Sequence, residues 1–374
     1  MTQQTGMRRR FIATAGAASG AAALGFPAIV KAQTTSLRFQ STWPAKDIFH
    51  EYANDFAKKV NDMTGGELKI EVLPAGSVVP AFGLLDAVSK GTLDGGHGVL
   101  AYHYGKNNAL ALWGSGPAFG MDSNMLLSWH KYGGGKELLD KLYGVVGASV
   151  YSYVYGPMPT QPLGWFRNPI ERAEQIRGLR YRTVGLATDL FQEMGAAVVA
   201  LPGGEIVPAL ERGVIDGAEF NNPSSDRVLG FADVARNYMI QSFHQRVETF
   251  EVLWNRQRYE GLPQELQQVL RISAEASSAD MSWKQQDRYS RDLVALAQAG
   301  VNVRQTPRAI LDAQLQAWDR VIARQEGDNS SPAAGPFFKK VCDSQREWCR
   351  RVGGFYLRYE ASPVISYNHF FARG

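Results

Sequence analysis

From Leu37 onward the apolar positions of the chain change period repeatedly, and each change predicts an element. Leu37, Phe39 and Ser41 alternate as a strand that ends at Trp43-Pro44. Phe49, Tyr52, Phe56 and Val60 then recur at helical spacing, with Asp47 placed to cap a helix that runs to about Met63. Gly65-Gly66 turns the chain into a second alternating strand over 68–73; a helix over 82–90 and a strand over 99–101 follow. Strand–helix–strand units of this length belong to a parallel sheet with right-handed crossovers.

The densest stretch is 178–226. It predicts a strand over 179–183, a helix over 187–194 ended by Gly195, a buried strand over 198–201, a helix opened by Gly203-Gly204, and a strand over 214–220. Arg182 and Glu219 then fall at the C-terminal ends of strands, where ligands sit in open α/β sheets. Residues 87–95 read AVSKGTLDG and residues 209–217 read ALERGVIDG, so each ends a helix on a basic residue and Gly and launches a strand through Asp-Gly. One such unit per lobe predicts a two-lobed α/β protein, with lobe I over 33–156 and lobe II over 157–246. A strand over 250–254 crosses back toward lobe I, and helices fill the rest of 247–330. The tail, 331–374, is helical and aromatic, with an expected kink at Gly353-Gly354, and suits packing on a second subunit.

Residues 1–32 change the charge picture. Arg8-Arg9-Arg10 before Phe11-Ile12, a weakly apolar stretch to Ile29 and small residues at 30–32 read as an export signal of twin-arginine type, cleaved after Ala32. The apolar stretch is shorter than the ~20 residues a membrane span needs. The chain has 40 basic and 36 acidic side chains, and residues 1–32 hold four of the former (Arg8, Arg9, Arg10, Lys31) and none of the latter. The mature chain is therefore formally neutral, which argues against nucleic acid as a partner. Export places it in the periplasm. The two cysteines, Cys342 and Cys349, lie seven apart in a helical segment; either both are free or the helix breaks between them.

Enzyme motifs are scarce. There is no Gly-x-Ser-x-Gly elbow, no phosphate-binding loop and no His-Glu-x-x-His, and Gly133-Gly134-Gly135-Lys136 reads as a turn between helices. His103 and His244 fall near strand ends and are the histidines to keep as cleft candidates. The polar residues at strand ends are Gln161, Arg182, Glu219 and Glu251. Arg182 can meet a carboxylate with two parallel hydrogen bonds, or it is a surface arginine on an edge strand. Gln161 with two carboxylates would make an oxygen set suited to Ca²⁺ or Na⁺ rather than zinc.

The motifs FQSTWP, QPLGWFRNPI, GLRYRTVG, GGEIVPALERGVIDGAEF and FHQRVETFEVLWN, taken together over about 36–370, resemble the solute receptors of tripartite ATP-independent periplasmic (TRAP) transporters. The similarity is to the subgroup that binds 2-oxo acids or lactate with a metal ion. The resemblance implies a periplasmic-binding-protein fold of two mixed sheets with flanking helices, a ligand cleft between the lobes and a long helical C-terminal tail. It implies no covalent chemistry, Arg182 as partner of the substrate carboxylate, and a Ca²⁺ or Na⁺ ion held by Gln161, Glu219, the Phe220 position and Glu251. Gln161 also reaches the substrate, and Trp43, Tyr102 and Phe220 wall the cleft. The implied partners are the membrane permease and a second copy of the chain. Two positions depart from the subgroup, where Phe220 and Phe243 stand in place of Trp; the smaller rings are expected to leave space for a substrate bulkier than pyruvate or lactate. An exported metal-dependent enzyme acting on a 2-oxo acid, and a receptor of an ATP-driven importer, are the alternatives.

Overall fold

The computed structural model describes residues 34–359 and 362–371; the export segment and its cleavage point lie outside them. Along the chain come β1 (Thr35–Ser41), β2 (Leu68–Leu73), β3 (Gly95–Val99), β4 (Val150–Met158), β5 (Gly164–Phe166) and β6 (Arg180–Arg182). They are followed by β7 (Ala197–Val199), β8 (Gly217–Ala218), β9 (Asn237–Met239), β10 (Glu248–Asn255) and β11 (Asn302–Arg304). One sheet has the order β2-β1-β3-β10-β4 and the other β11-β9-β5-β8-β6-β7. In the first, β1 runs parallel to β2 and β3, whereas β10 returns from beyond the second sheet and lies antiparallel to β3 and β4.

Local chemistry explains most boundaries. Asp47 accepts a hydrogen bond from Phe49 N at 3.2 Å and caps the helix Ile48–Met63, whose apolar stripe, from Ile48 to Val60, is buried. Each fully buried large apolar side chain contributes roughly 1.5–3 kcal/mol. The repeated Asp-Gly motif has the same role in both sheets. Gly91 and Gly213 take left-handed φ values of +74° and +68°. Asp94 N then donates to Arg38 O at 2.9 Å, and Asp216 N to Arg180 O at 2.7 Å. The carboxylates answer by accepting from Arg38 N at 2.7 Å and Arg180 N at 3.0 Å. Each motif thus pins a helix exit to a neighbouring strand.

Three expectations shift. The strand expected over 99–101 is instead β3, and residues Leu100–His103 form a 3-10 turn. Glycine-rich β3 pairs because its neighbours approach too closely for side chains: a Cβ at Gly95 would lie 2.5 Å from Trp254 and one at Gly96 2.5 Å from Leu84. Strand propensity, which counts Gly as unfavourable, misses such a strand. The strand expected over 214–220 shortens to β8. The helix Gly335–Arg358 passes unbroken through Gly353-Gly354, and a further helix, Ser362–Phe371, follows. Both thiols are free; Cys342 is buried, and Cys349 donates to Phe119 O at 2.8 Å.

The helix Gln264–Gln298, 35 residues long, packs on β4 and the helix Ile48–Met63, and also on Pro223–Leu229, the helix that follows β8. It therefore ties elements of both sheets together. Asp47 adds a buried link of the same kind, accepting from Ser225 Oγ at 2.6 Å.

Candidate functional site

Arg182 ends β6, which lies inside the second sheet between β7 and β8, so the edge-strand alternative does not apply. Its side chain is 1% exposed. Nε and Nη2 donate to Leu201 O at 2.8 and 2.7 Å, while Nη1 donates to Glu219 Oε1 at 2.7 Å and to Glu219 O at 3.0 Å. The guanidinium plane is fixed by these bonds. Glu219 follows β8 and is fully buried; burial pushes its carboxyl up to about 7, against the pull of Arg182. A pair this buried is weak evidence for stability, yet losing one partner costs about 3–5 kcal/mol.

Gln161, in the loop between β4 and β5, brings its amide to the same place. One end of that amide is 2.8 Å from Glu219 Oε2 and 3.2 Å from Phe220 O; the other is 2.7 Å from Asn221 Nδ2 and 3.0 Å from Gln245 Nε2. With nitrogen toward Glu219 every one of these contacts is a hydrogen bond. With oxygen there, three oxygens converge with no proton between them, and such a set is what a hard cation such as Ca²⁺ or Na⁺ takes. Among the described residues no three His, Cys, Asp or Glu side chains gather for a metal. The donors here are one carboxylate, one amide and one backbone carbonyl, and they fit the implied ion.

Trp43, Tyr102, Phe220, Gln161 and Arg182 line one small cavity of about 20 Å³, room for a single water. Trp43 Nε1 donates to His97 Nδ1 at 2.8 Å, and His97 Nε2 lies 2.6 Å from the Tyr155 hydroxyl. Burial holds His97 down to about 3, so it is neutral and its ring fixes the indole. Phe220 packs against Phe49 and Phe231, with ring centroids 5.9 and 6.3 Å away. A Cβ at Gly203 would lie 2.6 Å from its ring. The space expected beside the smaller Phe220 ring is thus filled, and Phe243 is held elsewhere, donating from its N–H to Gln314 at 2.7 Å. A larger cavity of about 420 Å³ shares Tyr102 and Val184 with the small one.

Glu251 does not join the other candidates. Phe250, Val252 and Trp254 face the core around Trp43, whereas Leu253 faces the core around Trp113. Strand alternation therefore turns Glu251 to the Trp113 side. Its Oε1 is 2.6 Å from His103 Nε2, and its Oε2 accepts from Tyr143 at 2.5 Å and Ser152 at 3.0 Å. Of the histidine candidates, His103 is bound up with Glu251 and lines the larger cavity, and His244 is buried with Nδ1 2.6 Å from Ser242 Oγ. The carboxyl that does line the small cavity is Glu248. Its Oε1 accepts from Thr249 N at 3.0 Å, and Gln245 donates to Oε2. Burial raises it well above the usual carboxylate range. Sequence reading also passed over Gln245, Asn221 and His97. The signal available for Glu251 was the alternation Phe250-Val252-Trp254, and the same alternation puts Glu248 on the Trp43 side, in spite of the irregular register between Thr249 and Phe250.

With this geometry in hand, known proteins offer a comparison. Residues 39–328 match the family model DctP, bacterial extracellular solute-binding protein, family 7. A monocarboxylate 2-oxoacid-binding periplasmic protein of Nostoc sp. is 34% identical over 244 residues, 65% of this chain and 66% of that protein. The match thus spans just under two thirds of that relative's length. A TRAP transporter solute-binding protein from Bordetella bronchiseptica, solved as a mixed-occupancy dimer with calcium and picolinate, superimposes with TM-score 0.85 and 27% identity, covering 91% of this chain and 99% of its own. One from Pseudoalteromonas atlantica, solved with sodium and pyruvate, gives 0.82 and 27%, covering 89% and 99%.

Proposed function

The chain belongs to family 7 of the bacterial extracellular solute-binding proteins, and from that premise we propose that it is the periplasmic solute receptor of a TRAP transporter. Its ligand is a small 2-oxo or 2-hydroxy monocarboxylate bound together with Ca²⁺ or Na⁺. The observation that carries this reading is the convergence of Gln161, Glu219 and the Phe220 carbonyl beside the Arg182 guanidinium. Arg182 pairs with the ligand carboxylate, and Gln161, Glu219 and Phe220 O would hold the cation. When bound, the cation supplies positive charge to the carboxylate and to the neighbouring oxo or hydroxy oxygen. Trp43 and Tyr102 exclude water from the pair.

The small cavity is tighter than any such ligand, so entry requires the layers around the two sheets to part, and binding draws them together again. The membrane permease would recognise that closed shape. No general acid or base is needed: His97 and His244 are both held down to about 3 by burial, and the chain acts as a receptor rather than an enzyme. The Arg8–Arg10 export pattern supports a periplasmic location, and among the described residues no helix is long and apolar enough to cross a membrane. The exposed Phe355, Leu357, Tyr359, Ile365 and Phe370 on the last two helices support a homodimer through the tail.

The test is a thermal-shift panel on the mature protein with pyruvate, lactate, longer 2-oxo and 2-hydroxy acids and succinate. Each is measured with and without a calcium chelator, and with sodium replaced by potassium. A ligand near a hundred times its dissociation constant adds about 2.7 kcal/mol. We expect 2-oxo and 2-hydroxy acids alone to raise the melting temperature, and either chelator or sodium removal to cancel the shift. A panel with no shift, or a shift indifferent to both treatments, overturns the reading.

A further inference from the structure

We infer that Glu248 decides which cation the site accepts, and that in the wild-type chain it selects a divalent ion over a monovalent one. The inference rests on the proposed binding of a carboxylate with a cation at Gln161 and Glu219. Glu248 is 2% exposed and lines the same small cavity as Arg182 and Gln161. It reaches Gln161 only through Gln245, whose amide lies between them: Gln245 donates to Glu248 and is 3.0 Å from the Gln161 amide. Its place is built. A Cβ on Gly114 would collide with its carboxylate, so glycine there leaves room for the carboxylate where it stands.

Charge decides the rest. The cavity wall holds one guanidinium, Arg182, and one carboxyl, Glu248, and a second carboxyl, Glu219, stands behind the wall on Arg182. The neighbouring His97 and His244 are neutral, and Glu251 closes on His103 at 2.6 Å in its own cluster. A bound monocarboxylate brings the formal charge of the loaded site to two minus. A divalent cation cancels that charge; a monovalent one leaves a buried negative charge, which water-excluded protein resists strongly. With glutamine at 248 the same count is one minus, and sodium becomes the neutralising ion.

The experiment compares wild type, Glu248→Gln and Glu248→Asp by calorimetry with pyruvate, in calcium and in sodium at equal ionic strength. Circular dichroism and ligand-free melting check the fold. In wild type we expect pyruvate to bind at least tenfold tighter with calcium than with sodium. Glu248→Gln should lower that ratio at least tenfold, and Glu248→Asp, which keeps the charge, should hold it. An unchanged ratio in Glu248→Gln, with both cations still effective, overturns this inference and leaves the receptor reading intact. Loss of all cation dependence in wild type overturns both. If Glu248→Gln does not fold, the aspartate variant still decides: a ratio that collapses despite the retained charge counts against the charge argument.

Discussion

Glu219 and Glu251 are carboxylates of equal burial in opposite situations. Both side chains are 0% exposed, and each has a nitrogen partner within 2.7 Å. Around Glu251, His103, Tyr143 and Ser152 supply contacts to both oxygens, and the cluster is complete as it stands. Around Glu219, Arg182 occupies Oε1, while Oε2 accepts from the Gln161 amide nitrogen, which would have to turn, along with Asn221 and Gln245, to bring an oxygen there instead. Burial and charge therefore do not mark a cation ligand; on the proposed reading, the mark is a carboxylate oxygen whose amide neighbour can turn its own oxygen toward it.

Removing each carboxylate separates the two roles. Glu251→Ala strips one partner from a buried pair and should cost about 3–5 kcal/mol in denaturant unfolding, while the chelator or sodium response of ligand binding persists. A variant of normal stability that no longer responds to cations would reverse the assignment. Arg182→Met belongs in the same range, because it leaves Glu219 buried without its guanidinium; this substitution should remove binding and stability together. Glu219→Gln should weaken cation-dependent ligand binding at least ~100-fold, or about 2.7 kcal/mol, measured by calorimetry. Retained cation dependence in that variant would remove Glu219 from the site.

The contrast also marks how far sequence reading reached. The placement of Arg182 and Glu219 was legible because strand ends are local: Gly178 and Gly213 punctuate them, and the repeated Asp-Gly motif fixes their register. The helix Ile48–Met63 was legible from its cap and stripe. Glu251 was drawn toward the site because it is acidic and lies on a crossing strand, although the alternation of β10 turns it away. The same alternation puts Glu248 on the side of the site, but the Gln245–Gln161 contact joins segments more than eighty residues apart, and no periodicity encodes it. The breadth expected beside Phe220 failed for a related reason: Phe49 and Phe231 come from distant parts of the chain to fill it.

A smaller effect sharpens the comparison from the aromatic side. Gly203→Ala would push on the Phe220 ring, and through it on the carbonyl that faces Gln161. Overpacking of this kind costs about 1–3 kcal/mol. Ligand affinity should fall with stability, whereas an alanine of similar intent at Gly213, where φ is +68° and nothing crowds the Cβ, should affect stability alone. Equal affinity losses in the two variants would show that the Phe220 carbonyl is not part of the site.

The smallest expected effect concerns another buried carboxyl, Asp47, whose Oδ1 accepts from Ser225 at 2.6 Å and from Phe49 N at 3.2 Å. Burial raises its carboxyl from the ordinary 3.8 to about 6. A folded value raised above the unfolded one means a contribution fully present below about pH 4 and lost as pH rises through about 6. The ligand-free protein should therefore melt higher at pH 5 than at pH 8. Asp226, raised to about 7 by burial, works in the same direction. Ser225→Ala removes a donor that favours the charged form, so its cost should be about 1 kcal/mol at low pH, that of an ordinary hydrogen bond, and larger above pH 6 where the bond serves a carboxylate. Denaturant unfolding at the two pH values reads the difference. A cost that shrinks as pH rises would mean that Ser225 serves the protonated acid, and Asp47 would then resemble the saturated Glu251 rather than Glu219.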